Sequence, residues 1–448
     1  MMRLSSAAAA LHADMRGTDV EFTRVVTDTR TIQAGDLFIA IKGERFDGHQ
    51  FAKQALDKGA VAVMIAADSG CDVQPALVVG DTRLALGQLA AWWRAQLPAR
   101  LIGITGSNGK TTVKEMLAGI LQVASSSDAV LATQGNFNND IGMPLTLLRL
   151  QQQHEYAVIE MGMNHLGEID YLTRLANPDV ALVNNAGAAH VGMLGSVENV
   201  ARAKGEIFAG LKGGGVAVIN ADDIYAGLWR KLAGNHQVLD FGIAQGAVQG
   251  SYSAHARGSS VTMNTPIGPL QFNLQVAGEH NVRNALAATA AALALNIGAD
   301  AIVKGLSGFG GVSGRLQYKS ALHGATLIDD TYNANPDSVN AALAVLAANP
   351  GTKILVLGDM GELGEEAAGM HAAIGHAARQ VNVDCLLALG EMSAEATKAF
   401  GHGAMYFERI EELLAELENR LDAETTVLVK GSRFMHMERV VQSFEVKH

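Results

Sequence analysis

Cysteine, aromatic residues and long apolar runs are all scarce in this chain of 448 residues. The two cysteines, Cys71 and Cys385, cannot build a disulfide framework, so we expect reduced thiols that pack as small apolar side chains. Aromatic residues make up 5% of the chain, which disfavours an aromatic-rich β-sandwich, and 49 glycines favour many tight strand–helix turns. No apolar run reaches the roughly 18 residues that a membrane-spanning helix needs.

Positively charged residues are also few. The chain has 34 Lys and Arg against 45 Asp and Glu, which gives a net charge of −11. This excludes the basic footprint of a nucleic-acid-binding protein. An anionic ligand would have to be bound locally, by helix N-termini, bound cations or single Lys and Arg residues. The alanine-rich start, residues 1–17, is interrupted by His12 and Asp14, so we interpret it as a first helix and not a signal peptide. We expect a cytoplasmic protein with no membrane span.

Short apolar segments that end in glycine or polar residues alternate with helical patterns along most of the chain. In the middle they are 100–106, 156–162, 179–187 and 215–223, and towards the end they are 325–330, 353–359, 385–390, 404–407 and 426–431. Such segments are typical of buried parallel strands. We therefore predict the α/β class, with a central P-loop-type parallel sheet and a C-terminal Rossmann-like, doubly wound sheet.

The length corresponds to about three domains of roughly 150 residues each. Pro98 marks one plausible boundary, and the glycine-rich stretch 305–315 marks a second. The predicted domains are residues 1–98, 99–314 and 315–448.

The strongest single motif is GSNGKTT, at residues 106–112. It follows a predicted strand and precedes a helix predicted from Lys110, which is the context of a phosphate-binding loop. Glycines let backbone N–H groups wrap a phosphate, the helix N-terminus adds positive potential, and the lysine adds a full charge. The spacing is the shorter G-x-x-G-K-T form, and the alternative is an ordinary glycine-rich turn with an exposed lysine.

Three residues beyond this loop could complete a cation site. Glu160 ends the next predicted strand, at the sheet edge where α/β proteins bind ligands, and its carboxylate could hold Mg²⁺ against the Thr111 hydroxyl. His190 follows the third predicted strand, and Lys204 lies in a predicted helix. The plainer alternatives are a solvated strand-end glutamate, a loop histidine and a surface lysine, and spacing alone does not separate them.

Eight segments follow one another along the whole chain. They are GSNGKTT (106–112), EMGMNHLGEI (160–169), NNAGAAHVG (184–192), AKGEIF (203–208), GEHNVRNALAA (278–288), SGRLQ (313–317), DDTYNANPDS (329–338) and LVKGSR (428–433). Together, and in this order, they resemble the motifs of the Mur ligases, the ATP-dependent amide-forming enzymes of peptidoglycan precursor synthesis.

Three features resemble the branch of that family that adds D-alanyl-D-alanine to a UDP-N-acetylmuramoyl-tripeptide. They are DTRTIQAGDLFIAIKGERFDGHQF (28–51), TYNANPDS and GDMGELGEEA (358–367). The branch that adds a diamino acid should instead carry an Asp-Asn-Pro-Arg motif, which this chain lacks. Folylpolyglutamate synthases share the loop and the central region, but their N-terminal part does not resemble this one. One departure is Thr29, where the family more often has serine; threonine keeps the hydroxyl.

The resemblance implies ATP and Mg²⁺ as cofactors. The residues that would bind ATP are Gly106, Ser107, Asn108, Gly109, Lys110, Thr111, Thr112, Asn281, Asn284, Arg315 and Asp330. The Mg²⁺ ligands would be Thr111, Glu160, His190 and Lys204, with Lys204 as a carbamylated lysine. Catalysis would fall to Lys110, Glu160, His190 and Lys204. Asn281 and Asn284 would approach the adenine from one helix face, although capping of the helix start is an alternative role for Asn281.

The resemblance also implies two substrate sites. The UDP-sugar site would use Thr29, Arg30, Lys42, Gly43, Asn138 and Asn139, and would make residues 1–98 the UDP-sugar-binding domain. The site of the incoming dipeptide would use Tyr332, Asn333, Asn335, Lys430 and Arg433, in the C-terminal domain. Residues 99–314 would form the ATP-binding domain.

The reaction that fits is transfer of the ATP γ-phosphoryl group to a carboxylate, followed by attack of the dipeptide amine on the acyl phosphate. The expected partners are UDP-N-acetylmuramoyl-tripeptide and D-alanyl-D-alanine, and we expect a monomer. The alternatives are another Mur-type or folylpolyglutamate-type ligase, a nucleotide-dependent switch, or a non-enzymatic binder of cell-wall precursors. A GTP-dependent switch would need a guanine-binding N-K-x-D motif, which is not present.

Overall fold

The N-terminal region carries a five-stranded sheet and a two-stranded ribbon. We obtained a computed structural model, which describes residues 1–44, 46–255 and 257–446. The N-terminal strands are β1 (Met2–Arg3), β2 (Asp14–Arg16), β3 (Glu21–Phe22), β4 (Arg24–Val26), β5 (Asp36–Ile39), β6 (Ala62–Ala66) and β7 (Ala76–Val79). The helices are α1 (Leu4–Leu11), α2 (Ala52–Asp57) and α3 (Thr82–Ala95). The sheet order is β2-β7-β6-β5-β4, parallel except for β2, and β1 pairs with β3.

The central region is built on a nine-stranded sheet. Its strands are β8 (Arg100–Thr105), β9 (Val130–Ala132), β10 (Tyr156–Glu160), β11 (Val180–Val183), β12 (Val216–Asn220), β13 (Gln237–Gly242), β14 (Val248–His255), β15 (Gly258–Thr265) and β16 (Gly268–Leu274). Its helices are α4 (Lys110–Ala124), α5 (Gly142–Leu147), α6 (Glu168–Ala176), α7 (Val191–Leu194), α8 (Val197–Gly205), α9 (Ala226–Ala233), α10 (Glu279–Ala294) and α11 (Ala299–Ser307). The sheet order is β16-β15-β14-β13-β12-β11-β8-β10-β9, and the strand pairs are parallel except for β14–β15 and β15–β16.

The central strand β8 shows why this sheet is apolar on both faces. Leu101 packs into one core, whereas Ile102 and Ile104 pack into the core formed with α4 and α10, and all three are 0% exposed. Alternate side chains of a strand point to opposite faces, so helices on both sides bury the whole strand. Each such side chain contributes about 1.5–3 kcal/mol through burial. The carboxyl ends of β8, β10 and β11 are thereby held side by side.

The C-terminal region forms a six-stranded sheet with helices on both faces. Its strands are β17 (Gln317–Ser320), β18 (Thr326–Asp330), β19 (Thr352–Gly358), β20 (Cys385–Leu389), β21 (Ala404–Phe407) and β22 (Thr425–Lys430). Its helices are α12 (Pro336–Ala347), α13 (Ala367–Gln380), α14 (Ser393–Phe400), α15 (Ile410–Glu418) and α16 (Glu438–Phe444). The order is β17-β18-β22-β19-β20-β21, and only β17 is antiparallel. The register places Asp330 opposite Lys430 at the carboxyl ends of neighbouring strands.

The structure confirms the predicted α/β class, the first helix and every strand predicted from the sequence. Other features were not predicted: the individual strands of the N-terminal region, the short strand β9, the extension of the central sheet by β13–β16, and the edge strand β17. Strands β14–β16 alternate buried and exposed residues, so they lack the continuous apolar runs that identify buried parallel strands. Among the described residues, no helix combines the length and the apolar character that crossing a bilayer requires.

Candidate active site

The phosphate-loop motif lies where the sequence places it, between β8 and α4. Gly109 precedes α4 with φ of 79°, a left-handed conformation that favours glycine. A Cβ at this position would lie 2.3 Å from Asn284 Oδ1 and 2.6 Å from Asn184 Nδ2. Gly109 is therefore required both for its backbone conformation and for the close approach of these two amide side chains.

The loop lysine folds back onto its own loop. Lys110 Nζ donates a hydrogen bond to Gly106 O, at 2.7 Å. Burial lowers the pKa of Lys110 from its usual value, and the carboxylate of Glu160 opposes this shift. The ammonium thus lies within the loop, where an anionic ligand would meet both it and the N-terminus of α4.

The carboxylate of Glu160 joins three elements at the end of β10. It is 3% exposed, and it accepts hydrogen bonds from Thr111 Oγ1 at 3.0 Å and from Asn138 Nδ2 at 2.8 Å. Arg315 Nη2 donates to the same Thr111 hydroxyl, at 3.0 Å. The predicted pairing of Thr111 with Glu160 is therefore present, together with a guanidinium that arrives from the chain between the central and C-terminal sheets.

His190 faces a carboxylate that the sequence analysis did not single out. Glu362 Oε2 lies 2.7 Å from His190 Nδ1, but the two groups are not aligned as a hydrogen bond, and this buried nitrogen has no aligned partner among the described residues. Contact with His190 lowers the pKa of Glu362. Gly192 N also donates to Glu362 O, at 3.1 Å. The loop after β19 thus docks onto the His190 loop across the interface between the two large sheets.

Lys204 lies in the last turn of α8 and is 1% exposed, so it is not the surface lysine of the plainer interpretation. Burial lowers the pKa of Lys204 well below its usual value, and the positive charge of Lys110 acts in the same direction. A neutral amine at this position is the chemical form that can react with CO₂.

Asp330 and Lys430 contact each other, although the sequence analysis assigned them to different ligands. Lys430 Nζ donates to Asp330 Oδ2 and also to Asn333 O, at 3.0 Å for the second bond. Burial raises the pKa of Asp330, and the ammonium of Lys430 acts against this rise. The pair ties β22 to the end of β18 and the segment that follows it, and both residues line the cleft described below.

Tyr332 follows the same strand and lies beside Arg315. The guanidinium of Arg315 lies over the Tyr332 ring, 4.2 Å from its centroid. Arg315 Nε is buried without a hydrogen-bond partner among the described residues. An unpaired buried N–H is costly, so the group is suited to an anionic ligand in the adjoining cleft.

Asn281 and Asn284 lie on one face of α10, as predicted, and Asn284 Nδ2 donates to Asn281 Oδ1 at 3.3 Å. Asn281 does not cap the helix, because Gly278 holds the N-cap position and Asn281 Nδ2 instead donates to Ala277 O at 2.8 Å. Asn184 Nδ2 donates to Asn284 Oδ1 at 3.0 Å, which connects this face to the end of β11.

The residues predicted for the UDP-sugar site divide into two groups. Asn138 bonds Glu160, and Asn139 Oδ1 accepts a hydrogen bond from Gly142 N at 2.8 Å, so both belong to the loop that buttresses the central site. The second group lies in the N-terminal region and is absent from the lining of the cleft described below: Thr29, Arg30, Lys42 and Gly43. Of these, Arg30 is exposed and pairs with Asp28 at 2.7 Å.

One cleft of about 1700 Å³ lies between the central and C-terminal sheets. The predicted residues that line it are Ser107, Asn108, Gly109, Lys110, Thr112, Asn138, Asn139, Glu160, His190, Asn281, Asn284, Arg315, Asp330, Tyr332, Asn333, Asn335, Lys430 and Arg433. Gly106, Thr111 and Lys204 are not among the lining residues. Within the described part of the chain, no three His, Cys, Asp or Glu side chains cluster closely enough to hold a metal ion by themselves.

The residues that the sequence analysis missed are mainly those that hold these loops together. Asn184, Asn185 and Asp337 lie within motifs quoted above, NNAGAAHVG and TYNANPDS, and Glu362 lies within GDMGELGEEA. Their roles depend on contacts between distant segments, which a sequence pattern does not contain.

Comparison with known proteins places this arrangement in a family. Three family models match in chain order: the Mur ligase family catalytic domain over residues 21–93, the Mur ligase middle domain over 104–292, and the Mur ligase glutamate ligase domain over 314–433. The chain belongs to the Mur ligase family, a class of ATP-dependent ligases.

Several of the similar proteins carry the same name. The chain is 43% identical to UDP-N-acetylmuramoyl-tripeptide–D-alanyl-D-alanine ligase of Escherichia coli K12 over 455 residues, covering 99% of this chain and 98% of that protein. A crystal structure of MurF from Acinetobacter baumannii matches with a TM-score of 0.91 and 38% identity, covering 98% of this chain and 97% of that one. The Thermotoga maritima MurF ligase in complex with ADP matches with a TM-score of 0.84 and 28% identity, covering 94% and 96%.

Proposed function

We propose that this chain is an ATP-dependent ligase that joins D-alanyl-D-alanine to a UDP-N-acetylmuramoyl-tripeptide and releases ADP and phosphate. The observation that carries the proposal is the whole-chain similarity, at 43% identity, to a ligase named for that reaction. The phosphate loop, the Thr111–Glu160 pair and the guanidinium of Arg315 lie together at one cleft, and this arrangement supports the same chemistry.

The reaction needs carboxylate activation, because a carboxylate oxygen is a poor leaving group. The terminal carboxylate of the tripeptide attacks the γ-phosphorus of ATP, which gives an acyl phosphate and ADP. The dipeptide amine then attacks the acyl carbon, and the tetrahedral intermediate expels phosphate. Every step handles concentrated negative charge, which in a chain of net charge −11 must be neutralised by groups placed in the site itself.

The chain's own residues supply that neutralisation. Lys110 and the loop Gly106–Thr112 would hold the ATP phosphates, and Arg315, already stacked on Tyr332, would bind phosphate oxygens through its unpaired Nε–H. Asn281 and Asn284 would face the adenine, and Asp330 would face the nucleotide near the junction of the two large sheets.

We propose Mg²⁺ as the accompanying cation, held by Thr111, Glu160, His190 and Lys204. The donor set fits, because Mg²⁺ in proteins is bound by few carboxylates together with substrate phosphates and waters, and because the buried Glu160 carboxylate lies beside the Thr111 hydroxyl at the edge of the cleft. When bound, Mg²⁺ would screen the charge that develops on the transferring phosphoryl group. Lys204 would serve as a carbamate, since burial and Lys110 both favour its neutral, CO₂-reactive form.

We propose two substrate sites, one for each of the molecules that are joined. Tyr332, Asn333, Asn335, Lys430 and Arg433 would form or support the dipeptide site. Thr29, Arg30, Lys42 and Gly43, with Asn138 and Asn139, would form or support the UDP-sugar site. We further propose three domains, 1–98, 99–314 and 315–448, which agree in order with the three matched family models. Closure about the stretch 305–315 would exclude water from the acyl phosphate.

We also propose a cytoplasmic monomer. The nucleotide substrates and the two reduced cysteines are consistent with the cytoplasm.

The test is an ADP-release assay with purified protein, ATP, Mg²⁺ and UDP-N-acetylmuramoyl-tripeptide. We expect ADP release to require D-alanyl-D-alanine and to fall to background with single amino acids. ADP release that is driven by other amines, or that is independent of any amine, would contradict the proposal.

A further inference from the structure

Asn335 has a contact that its predicted role as a dipeptide ligand does not explain. It is 8% exposed and caps α12, where its Oδ1 accepts a hydrogen bond from Ser338 N at 2.9 Å. Because the oxygen must face that N–H group, the amide nitrogen faces the other way. It donates from Nδ2 to Asn108 Oδ1, at 2.9 Å, across the interface between the two large sheets. One N–H of Asn335 is thus committed to the phosphate loop.

The backbone of Asn108 is already fixed from the central sheet. Its N–H donates to Asn185 Oδ1 at 2.8 Å, and its carbonyl accepts from Asn184 Nδ2 at 2.9 Å. These contacts hold the loop backbone, which is the part of a phosphate loop that binds phosphate. The Asn108 side chain is therefore free of that task, and among the described residues it bonds Asn335.

The contacts form a series of asparagine residues, in which Asn184 bonds the backbone carbonyl of Asn108 and Asn335 bonds its side chain. It runs from Asn281 and Asn284 on α10 through Asn184 to Asn108, and ends at Asn335, with donor–acceptor distances between 2.9 and 3.3 Å. The first pair belongs to the proposed adenine site, and the last residue belongs to the segment proposed to bind the dipeptide. Neighbouring contacts support the same junction, since Asp337 Oδ2 accepts a hydrogen bond from Ala188 N at 3.0 Å.

We propose that the Asn108 side chain couples the phosphate loop to the dipeptide-binding segment 331–335 through Asn335, so that the loop holds this segment in its binding geometry. Asn335 is then a positioning residue, and Asn108 acts on the dipeptide through it. The inference rests on the proposed function, because it assumes that 331–335 meets the dipeptide.

Two substitutions remove the contact from either side. Asn108→Ala deletes the acceptor and leaves the loop backbone and its bonds to Asn184 and Asn185 in place. Asn335→Ser keeps a residue that caps helices well but is too short to reach Asn108. Asn349→Ala is the matched control, because Asn349 is also a partly buried amide. It lies just beyond the C-terminal end of α12, far from Asn335, and its Nδ2 donates to Tyr318 Oη and Val345 O.

The measurement is the KM for D-alanyl-D-alanine and the KM for ATP in the ADP-release assay, with the other substrates saturating. We expect each single variant to raise the dipeptide KM about fivefold, which is the usual net effect of one hydrogen bond. The double variant should raise it no further than either single variant, because both remove the same contact. The ATP KM should change less than about twofold, and Asn349→Ala should change neither constant.

Three results would overturn the inference while leaving the proposed function intact. An unchanged dipeptide KM in Asn108→Ala would leave Asn335 as a helix cap alone. An equal rise in the ATP KM would make Asn108 a phosphate-loop residue alone, and multiplying effects in the double variant would show that the residues act independently. Should Asn108→Ala fail to fold, Asn108→Ser replaces it. A wild-type protein without dipeptide-dependent ADP release would instead overturn the proposed function, and this inference with it.

Discussion

Substituting Gly192 by alanine should obstruct the docking of the C-terminal region onto the His190 loop. A Cβ at Gly192 would lie 2.7 Å from Gly364 N and 2.8 Å from Glu362 O, whereas ordinary contact begins near 3.4 Å. Both neighbours are backbone atoms, so the two loops must separate by several tenths of an ångström. Overpacking of this kind costs about 1–3 kcal/mol. If the docked arrangement is the one that turns over, its population falls about five- to 150-fold.

The assay is kcat/KM for dipeptide-dependent ADP release, accompanied by thermal unfolding. We expect Gly192→Ala to lower kcat/KM about five- to 150-fold. The melting temperature of the protein should change little, since none of the hydrophobic cores contains this contact. Gly369→Ala is the control, because a Cβ there would meet nothing within 4 Å. A folded Gly192→Ala with wild-type kcat/KM would refute the view that this docking accompanies catalysis.

Three further predictions concern single side chains. Lys110→Ala should abolish ADP formation while far-UV circular dichroism shows an intact fold, because the phosphate-binding ammonium is lost; near-normal turnover would refute the phosphate-loop role. Lys204→Ala should lose activity and regain part of it when short carboxylic acids are added, and wild-type activity should fall when bicarbonate is removed; a fully active variant would leave Lys204 without a catalytic role. His280 lies in the first turn of α10 and lines the cleft. Burial, together with the positive charge of Lys430, lowers its pKa from 6.5 to about 4, so the unfolded chain binds more protons between those values and stability must fall as the pH drops through this window. From pH 7 to pH 5 this loss is about 2 kcal/mol; denaturant unfolding of His280→Gln should show a correspondingly smaller loss, and an unchanged loss would contradict the assignment.

Local patterns were sufficient for the parts of the fold that are buried on both faces. Strand β8 is identified by its apolar run and by the glycine that follows it, since nearly every side chain in it meets a core. Strand β15 was missed because its exposed positions carry polar residues, so its apolar content is diluted to alternate positions. Strand β17 was missed because it is only four residues long and three of them, Gln317, Lys319 and Ser320, are polar, so it has no apolar run.

In the candidate site, the sequence was sufficient to identify most of the functional side chains, but not the side chains that each of them contacts. The Thr111–Glu160 pair was predictable, since both residues follow or end neighbouring parallel strands whose carboxyl ends meet. The Asp330–Lys430 pair was not, because two residues 100 positions apart become neighbours only through the order of strands in the sheet. The same applies to Glu362, which reaches His190 only when two separate sheets meet.

Identification of the product is the sharpest test of the proposed reaction. Purified protein is given ATP, Mg²⁺ and an equal mixture of D-alanyl-D-alanine, diaminopimelate and lysine, together with UDP-N-acetylmuramoyl-tripeptide and UDP-N-acetylmuramoyl-dipeptide, and the nucleotide-sugar products are weighed by mass spectrometry. We expect that the tripeptide alone gains mass, by one D-alanyl-D-alanine unit per ADP released. Extension of the dipeptide by diaminopimelate or lysine, with the tripeptide unchanged, would contradict it.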